Sequence, residues 1–252
     1  MAQKYIFGPI ISRRLGSSLG INLLPYKTCS LNCIYCECGI TTDLTIERKE
    51  YVPTLEVMES LKKYATSSRF RNAPPYCITF AGWGEPTLHS SLGEIAHFIK
   101  KLFPEQKLVL ITNGTLFAFH EELLEEIQEM DIIIPSLDAA SYQALQMIDR
   151  PHPQIILNSY LESLTKLRKH FPGEMWLEIF IVEGINDSER ELDFLKEKIA
   201  LISPNRVQIN ALDRKPAQEG VKSPPLSRLE EIAHFLGGEV IPFLPRVSTV
   251  VV

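Results

Sequence analysis

The chain has 252 residues, of which 45% are hydrophobic and 23% charged, which is enough for one large domain with a substantial core. Its formal net charge is -5 and no block of like charge stands out, which argues against a nucleic-acid or membrane-surface binder. The first residues lack the apolar run of a signal peptide, and no apolar stretch has the length of a membrane span. We therefore expect a cytoplasmic protein whose thiols stay reduced.

Predicted strands and helices alternate along most of the chain. After an opening loop or short strand, the first buried strand is predicted at residues 21–24 and ends at Pro25. The five further predicted strands cover residues 77–81, 107–111, 131–137, 175–182 and 206–211. The predicted helices have apolar residues at helical spacing and cover residues 55–65, 92–102, 123–130, a stretch up to 145, 160–171, 192–202 and 229–236. The predicted helix starts are Thr54, Ser188 with Glu191, and Ser227 with Glu230.

Six apolar, β-branched strands, each joined to the next by a helix or a helix-sized crossover, favour a parallel sheet that is covered on both faces. Because six units are fewer than the eight of a closed barrel, we predict an α/β fold, an open-sided partial (β/α)6 barrel. The predicted division is an N-terminal segment over 1–20, the barrel over 21–215, and a C-terminal helix and tail over 216–252. From residue 239 onward we expect a tail or an edge strand.

Three of the five cysteines, Cys29, Cys33 and Cys36, stand within eight positions in a C-x3-C-x2-C spacing. Thiolates so close together on one loop suit a soft metal or an iron–sulfur cluster better than a disulfide framework. Three ligands leave a tetrahedral site one short, which is typical of a catalytic centre. A structural zinc site with Cys38 as fourth ligand is the alternative; otherwise Cys38 is a spectator thiol. Cys77 lies within a predicted strand and is expected to be a small buried hydrophobe.

Polar or glycine-rich residues follow one predicted strand after another. The cysteine motif follows the first strand, and the remaining signals are Gly82-Trp83-Gly84-Glu85, Asn113, Ser136 with Asp138, and Glu183-Gly184. Asp138 could alternatively cap the helix that runs to residue 145. In α/β barrels the carboxyl ends of the strands form the catalytic rim, so these signals predict an active site there.

Two motifs carry a resemblance to a known family. The cysteine motif, with Tyr35 just before its last cysteine, resembles that of the radical S-adenosylmethionine (radical SAM) superfamily, and Gly82-Trp83-Gly84-Glu85-Pro86 is similar to the Gly-Gly-Glu-Pro motif of that superfamily, with Trp83 in place of a glycine. The resemblance implies a [4Fe-4S] cluster on Cys29, Cys33 and Cys36, with one iron chelated by the amino and carboxylate groups of SAM. Reductive cleavage of SAM would then give a 5′-deoxyadenosyl radical that abstracts hydrogen from a substrate. An electron donor of the flavodoxin or ferredoxin type is also implied.

The resemblance also implies contacts to SAM. The backbone of residues 82–84, with the carboxylate of Glu85, is expected to meet the amino group. Ser136 and Asp138 are expected at the ribose hydroxyls, and Asn113 at the ribose or the methionine carboxylate. Tyr35 and the backbone of residues 182–184, which include Glu183, are expected beside the adenine.

A narrower resemblance is to a group related to the wyosine-forming (4-demethylwyosine synthase-like) tRNA enzymes. It is carried by five segments, Phe7-Gly8-Pro9, Ser12-Arg13-Arg14-Leu15-Gly16, Arg150-Pro151-His152-Pro153, Gly184-Ile185-Asn186-Asp187 and Gln208-Ile209-Asn210. Those enzymes carry the cysteines of a second cluster ahead of the radical SAM loop, whereas no cysteine precedes Cys29. We therefore treat the relationship as one of scaffold.

Three substrate classes stay open. A small anionic metabolite is favoured because Arg13 and Arg14, just ahead of the first strand, could clamp a carboxylate or phosphate. His152 and Arg214 are further candidate substrate contacts, with surface or packing roles as the alternative, and His89 is expected to be a packing histidine. A tRNA nucleotide is disfavoured by the charge, and a protein to be activated comes third. A non-catalytic zinc-binding module is the alternative from another class.

Overall fold

An eight-stranded sheet organises the part of the chain that the computed structural model describes, residues 5–243. The strands of that part are β1 (Ile6–Ser12), β2 (Gly16–Ile21), β3 (Thr28–Cys29), β4 (Asp43–Leu44), β5 (Cys77–Phe80), β6 (Lys107–Thr112), β7 (Ile132–Pro135), β8 (Glu174–Phe180), β9 (Arg206–Asn210) and β10 (Glu239–Val240). The helices are α1 (Thr54–Ala65), α2 (Ser68–Asn72), α3 (Leu92–Leu102), α4 (Leu123–Glu126), α5 (Tyr142–Ile148), α6 (Leu157–His170), α7 (Glu189–Ile202) and α8 (Leu226–Leu236).

The strand order in the large sheet is β1-β2-β5-β6-β7-β8-β9-β10, and β3 pairs separately with β4. Strand β1 is antiparallel to β2, whereas every other neighbouring pair in the sheet is parallel. The six predicted barrel strands are therefore β2 and β5 to β9, and the predicted partial barrel with a parallel sheet is confirmed. Because these strands are parallel, their carboxyl ends share one rim, as in other α/β barrels.

Alternation along the strands divides the core in two. Residues on one face, such as Leu19, Ile78 and Leu108, are almost fully buried in the main core, which also contains the apolar residues of α1, α3, α6, α7 and α8. Residues on the other face, such as Val109 and Ile134, form a smaller cluster inside the barrel. The period of two in a strand sends successive side chains to these opposite faces.

The opening segment differs from the prediction. The first barrel strand covers residues 16–21 and not 21–24, because small residues such as Ser18 and Gly20 alternate there with Leu19 and Ile21 and conceal the strand in the sequence. The loop or short strand expected ahead of it is strand β1, which forms a β-hairpin with β2 in which Ser12 pairs with Gly16.

Two predicted helix starts are wrong. Thr54 is the first residue of α1, and Pro53 takes the capping position. Pro225 caps α8, so Ser227 lies inside that helix. Proline suits the start of a helix because its fixed φ is compatible and its missing N–H is not needed there. The predicted cap at Ser188 is confirmed, since its hydroxyl accepts from the Glu191 N–H over 3.4 Å.

The remaining differences are small. The helix predicted over 123–130 shortens to Leu123–Glu126, and Ser141, not Asp138, caps α5. The expected edge strand is confirmed at Glu239–Val240, while residues 249–252 lie outside the described part. None of the helices in residues 5–243 is long and apolar enough to cross a membrane.

Candidate metal and cofactor site

The loop over residues 22–53, called the cysteine loop below, carries the three predicted ligands. It leaves β2 at the rim and is folded back on itself by the short parallel pair β3–β4. Asn32 N donates to Asp149 O over 2.8 Å, and Ile34 N donates to Ile148 O over 2.9 Å. These backbone bonds fix the middle of the loop against the end of α5.

As whole residues, the three motif cysteines are intermediate between buried and exposed, but the surroundings of their thiols differ. Burial raises the pKa of the Cys29 thiol to about 11, and burial together with the nearby Asp149 charge raises the pKa of Cys33 well above its usual range. A hydrogen bond with the Cys38 thiol lowers the pKa of Cys36 to about 6. Metal ligation requires thiolates, so loading a cluster here would release protons.

The described residues contain no preassembled single-metal site, and this holds for the zinc alternative and for the three motif cysteines alike. Within residues 5–243, no three Cys, His, Asp or Glu side chains converge in a way that could hold a single metal ion. Cys38, its proposed fourth ligand, contacts the Gly82 carbonyl oxygen at 3.5 Å. Cys77 is completely buried in β5, as expected for a packing residue.

Lys27 is a buried cation beside the thiols. Its side chain is 3% exposed, Nζ donates to Thr41 Oγ1 over 3.2 Å, and it also hydrogen-bonds to Cys36. Burial lowers its pKa, but the Cys29, Cys36 and Cys33 charges outweigh this and raise it. Among the described residues Lys27 forms no salt bridge with a carboxylate. Because a buried charge needs a counter-charge, an anionic thiolate-ligated cluster fits this donor set.

The glycine-rich loop after β5 lies directly against the cysteine loop. A Cβ at Gly84 would overlap the Thr28 carbonyl oxygen, and Gly82 has φ of 139° with Asn22 packed against it. Asn22 Oδ1 accepts from Trp83 N over 3.1 Å. The Trp83 side chain is 44% exposed, so its backbone makes the inward contact.

Glu85 joins this loop to the end of β6. Its side chain is 3% exposed, and Oε1 accepts from Thr87 N, Thr87 Oγ1 and Thr112 Oγ1 over 2.6–3.1 Å. Oε2 accepts from Asn113 N over 2.7 Å. Burial raises the pKa of Glu85, although these hydrogen bonds favour the carboxylate. Since each carboxylate oxygen has two lone pairs, Oε2 keeps capacity for one more donor.

Asn113 reaches from the end of β6 to the first motif cysteine. Its Nδ2 lies 3.6 Å from Cys29 Sγ and donates to Ser30 Oγ over 2.8 Å. Its Oδ1 accepts from Thr115 N and Thr115 Oγ1 over 3.0 and 2.8 Å. The side chain is thereby held rigidly against the cysteine loop.

Asp138 and Asp149 form a buried carboxyl pair next to the motif. Cys33 Sγ donates to Asp149 Oδ1 over 3.4 Å, and Tyr35 donates to Asp138, whose Oδ1 accepts from Phe180 N over 2.8 Å. Burial raises the pKa of Asp138 to about 6, and burial with the Asp138 charge raises the pKa of Asp149 well above its usual range. The Tyr35 ring stacks on Phe180 with centroids 3.7 Å apart.

Ser136 and Glu183 occupy different environments on the rim. Ser136 is partly buried; its N donates to Thr112 O over 3.1 Å and its carbonyl accepts from Tyr160. The Glu183 side chain is exposed, and its N–H donates to Lys222 O over 3.0 Å. Only the backbone at 183 is therefore tied into the rim.

Two of the four predicted substrate residues lie inside the barrel. Arg13 Nη2 donates to Asn210 Oδ1 over 3.0 Å. Arg14 forms a salt bridge with Glu178, and both side chains are nearly buried, at 13% and 11% exposed. The hairpin turn thus reaches across to β8 and β9.

The other histidine and arginine candidates lie outside the barrel interior. His152 N donates to Ser30 O over 2.9 Å, which places it beside the cysteine loop. Arg214 is 66% exposed and pairs with Glu37 over 3.0 Å on the surface. His89 is fully buried with Nε2 2.9 Å from Val52 O, as expected for a packing histidine.

Sequence reasoning missed three functional neighbours, namely Lys27, Asp149 and Glu178. A signal was available for Glu178, because it is a charged residue in the middle of the otherwise apolar predicted strand 175–182. Lys27 directly precedes Thr28-Cys29, but its burial does not follow from that position.

A cavity of about 490 Å³, lined by residues such as Lys107 and Glu174, lies at the opposite, amino-terminal end of the strands.

Comparison with known proteins gives sequence relatives over nearly the whole chain. The model of the radical SAM superfamily matches residues 23–195. UPF0026 proteins of Methanocaldococcus jannaschii and Helicobacter pylori are 31% and 34% identical, over 90% and 97% of this chain and 69% and 77% of theirs. A Brachyspira hyodysenteriae protein named GTPase Obg is 37% identical over 87% of this chain, which spans only 32% of that protein.

Solved structures share the fold at low sequence identity. A radical SAM methyltransferase from Sphaerobacter thermophilus superimposes with a TM-score of 0.70 at 15% identity, covering 88% of this chain and 65% of its own. TYW1 with a lysine-pyruvate adduct bound gives 0.63 at 15% identity, covering 88% and 74%. SuiB from Streptococcus suis bound to S-adenosylmethionine gives 0.61 at 14% identity, covering 84% and 46%. By the family match and this shared fold, the chain belongs to the radical SAM superfamily, whose enzymes use a [4Fe-4S] cluster and SAM.

Proposed function

We propose that Cys29, Cys33 and Cys36 hold the [4Fe-4S] cluster and that the rim beside them holds SAM. In this proposal the substrate is a small anionic molecule in the barrel interior. A flavodoxin or ferredoxin type of protein supplies the electron.

The observation that carries this proposal is the hydrogen-bonded connection between the cysteine loop and the ends of three strands. The loop after β5 packs on Thr28, the Asn113 amide after β6 lies 3.6 Å from Cys29 Sγ, and Asp149 meets Cys33 at 3.4 Å beside Asp138, which follows β7. This connection gathers polar groups around one point of the rim, where a cofactor with an amino acid and a nucleoside part can lie across several strands.

A bound cluster would supply the electron for reductive cleavage of SAM, the source of the 5′-deoxyadenosyl radical in this proposal. The protein binds and orients SAM and the substrate, and it excludes water from the site. Glu85 Oε2 accepts from the SAM ammonium group. Asp138, whose oxygens accept from Tyr35 and from Phe180 N, is the acceptor for the ribose hydroxyls in this proposal. Ser136 is a second hydrogen-bonding partner for the ribose hydroxyls. The stacked Tyr35 and Phe180 rings shield one side of the site from solvent.

The anionic substrate is supported by the two guanidinium groups inside the barrel. Arg13 and Arg14 approach β8 and β9 below the rim, where Arg13 donates to the neutral Asn210 amide and Arg14 pairs with the Glu178 carboxylate. The formal charge of -5 for the whole chain offers no general attraction for RNA, which argues against a tRNA substrate.

Anaerobic purification and reconstitution test the proposal. The wild-type protein should be brown with about four irons per chain, and it should release 5′-deoxyadenosine from SAM when reduced. Cys33→Ala should lose the iron. Cys38→Ala removes a neighbouring thiol that the proposal does not use, and it should keep iron and activity.

The outcomes separate the alternatives. A colourless protein with one zinc per chain would establish the zinc-binding module instead. Loss of iron in Cys38→Ala, or full iron in Cys33→Ala, would show that the ligands are misassigned. Tight binding of bulk tRNA at moderate salt would replace the small anionic substrate by a nucleic acid.

A further inference from the structure

The β1–β2 hairpin places its turn inside the barrel, between the two edges of the open sheet. The turn holds Arg13 and Arg14, which lie in sequence just before β2, yet their partners are Asn210 in β9 and Glu178 in β8. In the sheet order β2 stands near one edge and β9 near the other. The turn therefore bridges the side on which the partial barrel does not close.

The polar residues that meet this turn share one face of the sheet. Glu178 pairs directly with Gln208, and Phe180 pairs with Asn210. The residues between them, such as Ile179 and Ile209, belong to the main core behind the sheet. Alternation thus sends Glu178, Gln208 and Asn210 together to the barrel interior.

The two arginines are not equivalent. Arg14 is neutralised by Glu178, whereas the one side-chain partner of Arg13 within residues 5–243 is the neutral amide of Asn210. Burial and the Arg13 charge lower the pKa of Arg14 to about 10, so Arg14 remains charged at neutral pH. Two guanidinium groups and one carboxylate leave one positive charge in this group uncompensated.

Two buried polar atoms here have no hydrogen-bond partner among residues 5–243. They are Arg13 Nη1, a donor, and Gln208 Oε1, an acceptor on a side chain that is only 4% exposed. Buried polar groups in native proteins are almost always paired, and an unpaired charged donor is the costliest exception. A bound ligand that supplies an anionic oxygen and an O–H or N–H donor would satisfy both atoms.

This group of residues adjoins the proposed cofactor site. Glu178 O accepts from Leu137 N over 2.8 Å, next to Ser136. Phe180, the neighbour of Asn210 across the strands, stacks on Tyr35 of the cysteine loop. A ligand held here would lie in the barrel interior, next to the proposed cofactor site.

We propose that Arg13, beside Asn210, binds the carboxylate of the substrate, a small organic acid whose hydroxyl or amino group donates to Gln208 Oε1. The assignment rests on the proposed function and narrows its substrate class. Arg14 and Glu178 form the ion-paired wall of this subsite and do not contact the acid. The single uncompensated charge matches a carboxylate better than a doubly charged phosphate.

Ligand retention tests the assignment. The reconstituted protein with SAM is incubated with the small-molecule fraction of a cell extract, washed by ultrafiltration and denatured, and the retained compounds are identified by mass spectrometry. Wild-type protein should retain a hydroxy- or amino-substituted carboxylic acid. The pure acid should then bind Arg13→Gln about tenfold to a hundredfold more weakly, because a charged hydrogen bond is lost.

Matched variants keep the test decisive. Arg206→Gln removes an exposed arginine from the same strand as Gln208 and should bind the acid as wild type does. If Arg13→Gln does not fold, Gln208→Leu replaces it, and its preference for the substituted acid over the unsubstituted analogue should fall about tenfold.

Three results would overturn the assignment. The first is that no carboxylic acid is retained, and the second is that inorganic phosphate or phosphate esters are retained instead. The third is an unchanged affinity in Arg13→Gln or, where that variant does not fold, an unchanged preference in Gln208→Leu. Iron content and 5′-deoxyadenosine release, measured on the same wild-type preparation, report separately on the proposed function. A protein without radical chemistry that still binds an acid through Arg13 would contradict the proposed function and leave the assignment of Arg13 intact.

Discussion

Gly84 and Thr28 are in backbone contact, and this contact joins the glycine-rich loop to the cysteine loop. Any Cβ at position 84 would overlap the Thr28 carbonyl oxygen, which also accepts from Glu85 N over 3.1 Å. Thr28 is followed directly by Cys29. The second glycine of the motif is therefore needed for close approach of two backbones, a role in which no side chain is tolerated.

Gly84→Ala should consequently displace Thr28 and, with it, Cys29. We expect the iron content after reconstitution to fall severalfold and the thermal midpoint of the apoprotein to drop, because backbone atoms on both sides must move. Iron analysis and thermal unfolding measure the two effects.

Gly237→Ala is the matched control. Position 237 ends α8 with a φ of 71°, and a new Cβ there would have no described atom within 4 Å, so the cost is only the strain of a left-handed backbone, roughly 1–2 kcal/mol. This variant should load iron as wild type does. Equal iron in Gly84→Ala would show that the contact with Thr28 does not position the cysteine.

Lys27→Met should lower the midpoint potential of the cluster. The buried ammonium stabilises the more negative, reduced state, so its removal makes reduction harder. A unit charge about 7 Å away at an effective dielectric constant of about 20 contributes roughly 2 kcal/mol, on the order of 100 mV for one electron. A redox titration followed by electron paramagnetic resonance measures this shift.

Two variants accompany this measurement. Lys27→Arg keeps the charge and should shift the potential much less, while Lys62→Met removes an exposed lysine of α1 and should leave it unchanged. A potential in Lys27→Met equal to that of wild type would mean that the charge is screened from the cluster.

The sheet could be predicted from the sequence, whereas the neighbours of the cysteines could not. Strand β5, with Ile78 and Phe80 on the core side, has a run of apolar residues that shows in any window. Strand β2 hides the same burial because the small residues Ser18 and Gly20 alternate with Leu19 and Ile21. Alternation with small polar residues resembles a loop when only hydrophobicity is considered.

The contacts of Asp149 show which part of the candidate site could not be predicted from the sequence. Asp149 is 116 residues from Cys33 along the chain, and it meets the thiol only because α5 ends beside the cysteine loop. Composition and spacing carry no information about that register. Strand-end motifs such as Asn113 were accessible because every carboxyl end of a parallel sheet points to the same rim.

Asp138→Asn should stabilise the apoprotein at neutral pH while it weakens SAM binding. Burial raises the pKa of Asp138 from 3.8 to about 6, so folding of the wild type must bury a carboxylate above that pH. A neutral amide avoids this cost, and the unfolding free energy should rise by roughly 1–3 kcal/mol at pH 7. Chemical denaturation measures stability, and calorimetry measures SAM affinity.

The sign of the pH dependence is a separate check. Because the pKa of Asp138 is raised on folding, its stabilising contribution is present below about pH 4 and is lost as the pH rises through about 6. The advantage of Asp138→Asn over wild type should grow across this window and be constant above it. An advantage that is largest in acid would contradict the raised pKa.

Arg14→Gln should destabilise the fold, in contrast to the binding role assigned to Arg13. It leaves the Glu178 carboxylate buried without its partner, at 11% exposure, and breaking such a pair costs about 3–5 kcal/mol. The double variant Arg14→Gln with Glu178→Gln removes both charges and should recover most of that loss, because two neutral amides can hydrogen-bond across the same gap. Denaturation of both variants and of Glu178→Gln completes a double-mutant cycle. If the two single losses simply add in the double variant, the ion pair is not what stabilises this wall of the barrel, and Arg14 would then become a second candidate for the substrate anion.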